Sequence, residues 1–179
     1  PIFGEIGLDH FFVKDKSRYP AQREIFEFIL GAAREQGKIV IVHTKGAERD
    51  VLEVLDRYAL PRVVIHWYSG PLGVFREMVG RGFYFTVGGE FMRSEKIRTI
   101  ARKVPADRLL TETDNPGGPK SYLGRTGTPA VIKDIVRGLA EIRETSEEAL
   151  AATLRSNLVT LFRDDGRLAG FLDRIRDEK

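Results

Sequence analysis

The chain has 179 residues, of which 42% are hydrophobic and 31% charged, enough for one domain with a buried core. Its formal charge of +3, from 29 basic and 26 acidic residues, permits a polyanionic partner without demanding one, because the two signs are interleaved throughout. No run approaches the roughly 18 apolar residues of a membrane span and no segment has the basic-then-apolar pattern of a signal peptide, so a cytoplasmic location without a membrane partner is expected. Cysteine is absent, which excludes disulfides and thiolate catalysis and leaves any metal to histidine and carboxylate.

Ile2 to Leu8 reads as a strand of glycine and apolar residues interrupted by Glu5. A charge within a buried strand costs several kcal/mol, on the order of 3–5, unless it is paired or bound to a cation, so Glu5 is a candidate site residue. The chain opens at Pro1 in what reads as mid-strand, and a segment upstream of it is expected. Gln22 to Gln36 sets Ile25, Phe28, Ile29, Ala32 and Ala33 at helical spacing, with Gly37 as the stop. Lys38 to His43 is a β-branched run too continuous for a half-exposed strand, the mark of a parallel strand covered on both faces.

Val51, Leu52, Val54 and Leu55 mark a second helix before Pro61, and Val63 to His66 is the next strand, left through Trp67-Tyr68-Ser69-Gly70-Pro71. Leu72, Phe75, Met78 and Val79 outline a third helix, and Phe83 to Val87 a fourth strand closed by Gly88-Gly89. A helix through Ile97, Ile100, Ala101 and Val104 precedes the fifth strand, which opens at Leu109-Leu110 and runs into Thr111-Glu112-Thr113-Asp114 before Asn115-Pro116. Beyond it, Val131, Ile132, Ile135, Val136 and Leu139 share a helical face, and Ser146 before Glu147-Glu148 is an N-cap. Leu168, Phe171, Leu172 and Ile175 form a last amphipathic helix. Five strands alternating with helices predict repeated βα units and a parallel sheet.

Glu5, His43, His66 and Asp114 all fall at or near the C-terminal ends of strands, the edge at which βα proteins bind ligands. Taken singly, a histidine closing an apolar run is commonly a hydrogen-bonded core residue, and an aspartate before Asn-Pro a turn former. Jointly they point elsewhere, because two of only three histidines take equivalent positions on successive strands. Two imidazoles and two carboxylates suit zinc, or manganese or magnesium if more oxygen ligands join.

The segments Gly4-Glu5-Ile6-Gly7-Leu8-Asp9, Ile41-Val42-His43-Thr44, Val64-Ile65-His66-Trp67-Tyr68-Ser69-Gly70 and Leu109-Leu110-Thr111-Glu112-Thr113-Asp114 resemble motifs of the TatD-like metal-dependent hydrolases of the amidohydrolase superfamily, with a looser match at Asn157 to Phe162. The resemblance implies a (β/α)8 barrel of the TIM type, of which this chain supplies about the last five βα units over residues 1–163; residues 164–179, beyond it, are expected as an amphipathic helix packed on the barrel. It also implies one or two divalent ions at the barrel top. Glu5 would bridge them, His43 and His66 would bind the second, and Asp114 would bind the first and take a proton from the attacking water. The activity implied is metal-assisted phosphodiester cleavage, as in the family's deoxyribonucleases, with DNA or another phosphodiester as partner.

Lys45 is a candidate phosphate contact, and His10, Trp67, Tyr68 and Arg125 are candidates for the substrate mouth, where aromatic rings can stack on bases. Glu112 is expected to support Asp114 rather than bind metal. Two departures from the family pattern stand out: this sequence has no His-x-His pair, which the first metal needs, and Arg125-Thr126-Gly127-Thr128-Pro129 lacks the Asn and Glu usual at the mouth. The fragment alone is therefore expected to be inactive and, with open sheet edges, prone to associate. Hydrolysis of an ester or amide, including an aminoacyl ester, and a non-catalytic role as a barrel fragment are the alternatives.

Overall fold

The computed structural model describes residues 1–177, which fall into two compact units, Pro1–Phe85 and the chain from Thr86 onward. The first unit holds β1 (Ile2–Gly7), α1 (Tyr19–Glu35), β2 (Ile39–His43), α2 (Glu48–Tyr58), β3 (Val63–Ile65), α3 (Leu72–Gly80) and the start of β4 (Tyr84–Val87). Each strand pairs in parallel with the next, β1 on β2, β2 on β3 and β3 on β4. The β-branched strands lie where continuous apolar runs belong: Ile39, Val40, Val42, Val63, Val64 and Ile65 are all buried.

β1 is the exception, because it carries a bulge. Phe3 lies opposite Val40 and Ile6 opposite Val42, so Gly4 and Glu5 between them face the single residue Ile41. An extra residue of this kind re-aims the side chains beside it, here Glu5. Glycine is required at the bulge, since a Cβ on residue 4 would lie 2.7 Å from the Ile41 Cβ.

Four of the helices follow their sequence patterns. Val51, Leu52, Val54 and Leu55 are the buried face of α2, and Phe75 and Met78 lie on that of α3. α1 differs from expectation. It buries the row Phe26, Leu30 and Ala33, while Ile25 and Phe28 are 60% and 78% exposed. Both stripes have helical periodicity, and what decides between them is the neighbour: α1 lies on β1 and β2 through the i, i+4, i+7 row.

The second unit begins with the end of β4, to which the Glu112 N–H bonds through the Val87 carbonyl at 3.3 Å. It continues with α4 (Glu95–Lys103), β5 (Leu109–Thr111), a single turn α5 (Lys120–Leu123), α6 (Ile132–Ile142), α7 (Glu147–Phe162) and α8 (Ala169–Asp177). Ile97, Ile100 and Ala101 of α4 and Ile135 and Leu139 of α6 are buried as their spacing predicts. The Ser146 hydroxyl accepts from Ala149 N–H at 3.1 Å, the expected cap of α7. Asn157 of α7 is 5% exposed and gives both amide protons to main-chain carbonyls, of Ala106 at 2.7 Å and Leu109 at 2.8 Å, which ties the helix to the entry of β5. In α8, Leu172 is buried and the Phe171 ring meets Phe162 at 5.9 Å. Among the described residues no helix is long and apolar enough to cross a membrane.

Candidate metal centre

Glu5 leaves β1 at the bulge, His43 is the last residue of β2, and His66 follows β3 directly, its N–H bonded to the Val42 carbonyl at 2.9 Å. The three side chains converge. Glu5 Oε1 lies 2.6 Å from His43 Nδ1, and Glu5 Oε2 lies 3.6 Å from His66 Nε2. One carboxylate thus turns one oxygen to each imidazole, and the two rings lie 6.5 Å apart in a stacked orientation.

The other nitrogen of His43 is held as well. Asp9 Oδ2 lies 2.8 Å from Nε2, and the second Asp9 oxygen accepts from the main-chain N–H of Phe11 at 2.9 Å and of Phe12 at 2.6 Å. The backbone of Asp9 is clamped in turn by Gln22 of α1, which accepts from its N–H at 2.8 Å and donates to its carbonyl at 3.2 Å. Asp9 is therefore a fixed post for the histidine. It was within the first sequence motif but was not singled out, because a residue acting through a histidine leaves no periodicity of its own.

These contacts move the protonation equilibria in the direction of charge. The hydrogen bond from His43 holds the Glu5 carboxyl below its ordinary value against the opposing effect of burial. The Glu5 hydrogen bond raises His43 above the ordinary histidine value, with Asp9 adding to it and burial opposing. Burial pushes Asp9 upward, but the hydrogen bonds from Phe12 and His43 outweigh it and leave it lowered. A ring with carboxylates at both nitrogens is best satisfied when both nitrogens carry protons.

The donor set fits a divalent cation. Nitrogen, nitrogen and carboxylate oxygen from adjacent strand ends are zinc-type ligands, and a ligating histidine typically passes its far N–H to a carboxylate, the place Asp9 occupies. Among the described residues no three such side chains already stand as a cage; Glu5 and His43 hold each other through a shared proton. Glu5, His43 and His66 would hold the cation, which would compete with that proton for the same lone pairs.

The loops around the cluster place the other candidates of this unit. Lys45 donates to the Ser69 hydroxyl at 3.1 Å. His10 stacks on Tyr19 at 3.7 Å and faces Asp50 at 3.6 Å. Trp67 meets the His66 ring edge-on at 6.3 Å, with its backbone at φ 40, an uncommon conformation for so bulky a residue. Tyr68 is 3% exposed, donates to the Pro71 carbonyl at 2.7 Å and packs on Phe75 and Phe85, so its ring secures the loop to the core.

Asp114 and Glu112 belong to the second unit. β5 ends at Thr111, so Asp114 lies on the following turn, exposed and at φ 48. Glu112 is half-buried and accepts from the Thr86 hydroxyl at 2.6 Å. Tyr122 is buried close enough to both that their charges add to the effect of burial in raising its pKa. Arg125 is exposed.

A family profile described as TatD related DNase matches residues 1–163. The chain belongs to this family. Among its TatD-family relatives, YabD of Bacillus subtilis, described as an uncharacterized metal-dependent hydrolase, is 32% identical over 89% of this chain and 64% of its own length. A relative of the same description from Mycobacterium tuberculosis, TatD, is 31% identical over 86% of this chain and 61% of its own. The crystal structure of YjjV, a TatD homologue from Escherichia coli, superposes with a TM-score of 0.82 at 32% identity, covering 89% of this chain and 62% of that one. The chain therefore spans somewhat under two thirds of the relatives it matches. The βα order and this likeness support an α/β fold of TIM-barrel type with a parallel sheet.

Proposed function

We propose that the chain carries the Glu5, His43 and His66 portion of the metal centre of a TatD-family hydrolase that cleaves phosphodiester bonds, with DNA ends as substrate. The observation that supports this most is the Glu5 carboxylate turned to both imidazoles, with Asp9 behind one of them. When bound, one or two divalent ions (Zn, Mg or Mn) would supply Lewis acidity, offsetting charge on phosphoryl oxygens and making water a better nucleophile.

The residues' own tasks follow from their chemistry. Glu5, His43 and His66 hold a cation, and Asp9 fixes the orientation of His43. Asp114 is assigned a further metal contact and the acceptance of a proton from the attacking water, a role its exposed carboxylate suits, with Glu112 supporting it. Lys45 is assigned a substrate phosphate, with Trp67, His10 and Arg125 at the mouth.

In this reading the five βα units are the last five of eight, and the His-x-His ligands of the other metal come from upstream, so the chain alone is inactive. Its coverage of 62% of the YjjV structure is consistent with that.

Cleavage of a single-stranded oligonucleotide and of a carboxylic ester, each with and without added metal, tests the reading on the chain alone and on a version extended upstream. Metal-dependent phosphodiester cleavage by the extended protein, lost in Asp114→Ala, is expected. Ester hydrolysis in its place would assign the carbonyl chemistry instead, and no metal-dependent gain in either assay would leave a non-catalytic fragment.

A further inference from the structure

The loop after Asp9 carries two adjacent aromatic rings at the surface, Phe11 at 50% and Phe12 at 71% exposure. A phenylalanine this open forgoes most of the benefit of burial, so two together need a reason. Their surroundings separate them from the other exposed apolar residues of the unit. The Lys14 ammonium lies 4.7 Å and the Lys45 ammonium 5.6 Å from the Phe11 centroid. Phe12 stands edge-on to Phe11 at 4.9 Å and 87°. Phe11 thus collects two cations, and Phe12 offers an open ring beside them.

The loop is also tied to the candidate metal centre. The Asp9 carboxylate that holds His43 Nε2 through one oxygen holds the Phe12 N–H through the other, so two hydrogen bonds separate the imidazole from the loop backbone. The opposite side is fixed by the His10 N–H to the Lys45 carbonyl at 2.9 Å and by the Tyr19 hydroxyl to the Val13 carbonyl at 3.2 Å. A rigid aromatic face flanked by ammonium groups is the combination that binds single-stranded nucleic acid: the ring takes a base and the cations take phosphates.

We propose that Phe12 is a stacking platform for an unpaired base of a nucleic-acid strand, and that Lys14 and Lys45, gathered at Phe11, contact phosphates flanking that base. This rests on the phosphodiesterase reading of the same site, and assigns the residues that choose a base-bearing substrate. Charge complementarity favours this occupant over an apolar protein surface, which would leave two ammonium groups to be desolvated. Phe28 of α1 is equally open, and among the described residues no ammonium or guanidinium stands over its ring.

Binding of a fluorescently labelled single-stranded oligonucleotide by the full chain, measured by anisotropy in EDTA, tests the proposal without hydrolysis. Phe12→Ala is expected to weaken binding about 10-fold, and Phe12→Trp to retain it. Phe28→Ala is the control and leaves it unchanged. An oligonucleotide lacking the stacked base should bind the wild type and Phe12→Ala alike. Lys14→Ala and Lys45→Ala should each reduce the salt dependence by about 0.7 per phosphate lost.

The proposal is overturned if Phe12→Ala binds the intact strand as the wild type does, or if it loses the base-lacking strand equally. It is also overturned if the substitution changes only self-association of the chain in sedimentation. Base-dependent binding without cleavage by the extended protein would sink the hydrolase reading and leave the platform; cleavage indifferent to Phe12 would do the reverse.

Discussion

Asp9 and His43 are joined at 2.8 Å through the ring nitrogen that faces away from Glu5, so the imidazole is fixed from behind. If that bond orients a metal ligand, removing the charge while keeping the shape should weaken metal binding. Asp9→Asn is expected to lower affinity for Zn or Mn by about 10- to 100-fold, measured by competition with a chromogenic chelator. Unchanged affinity would make Asp9 a loop anchor only.

The same trio predicts a pH profile for the metal-free chain. Folding raises the pKa of His43, so its contribution to stability is complete below the unfolded value of about 6.5 and is lost as pH rises through the higher folded value. Folding lowers Glu5 and Asp9, so their contributions are present above about 4 and are lost as pH falls through their lower folded values. The urea midpoint in EDTA should therefore be higher at pH 5.5 than at pH 8.5, and His43→Gln should flatten the difference. Metal affinity should move the opposite way, rising with pH, because the cation must displace a proton.

The bulge at Gly4 predicts a coupled loss of stability and site geometry. A methyl at position 4 would meet the Ile41 Cβ at 2.7 Å, and neither atom belongs to a flexible chain end. Gly4→Ala should cost about 1–3 kcal/mol in chemical denaturation and weaken metal binding by displacing Glu5. A fully stable variant with normal metal affinity would show that the bulge does not set the aim of Glu5.

Asn157 makes an independent prediction in the second unit. Its two amide protons serve two carbonyls in a buried setting, so Asn157→Leu leaves both acceptors without their donors and should destabilise by about 2–4 kcal/mol. Thermal unfolding measures this, and a shift no larger than that of an exposed substitution on α7 would contradict it.

Much of this arrangement was legible in the sequence because it rests on periodicity. The β-branched runs before His43 and His66 marked parallel strands, and their shared position at strand ends marked a candidate site. Helix α1 and its buried Ala33 match expectation, but two stripes have the right spacing, and only the identity of its neighbours separates Phe26 and Leu30 from Ile25 and Phe28. Asp114 was expected to continue its strand, yet β5 stops at Thr111, since a short strand gives too little alternation to fix its end. Asp9 lay within a sequence motif without standing out in it, and Phe11 and Phe12 gave no signal of the role proposed for them. Their roles depend on hydrogen bonds and exposure across a loop, which no local pattern encodes.

The central claim, that Glu5, His43 and His66 hold a cation, is tested most directly by titrating the chain with Zn or Mn and comparing it with Glu5→Gln and His66→Ala. The account predicts one site in the wild type, weakened at least about 10-fold in each variant, with a proton released on binding. Equal affinity in all three proteins would contradict it.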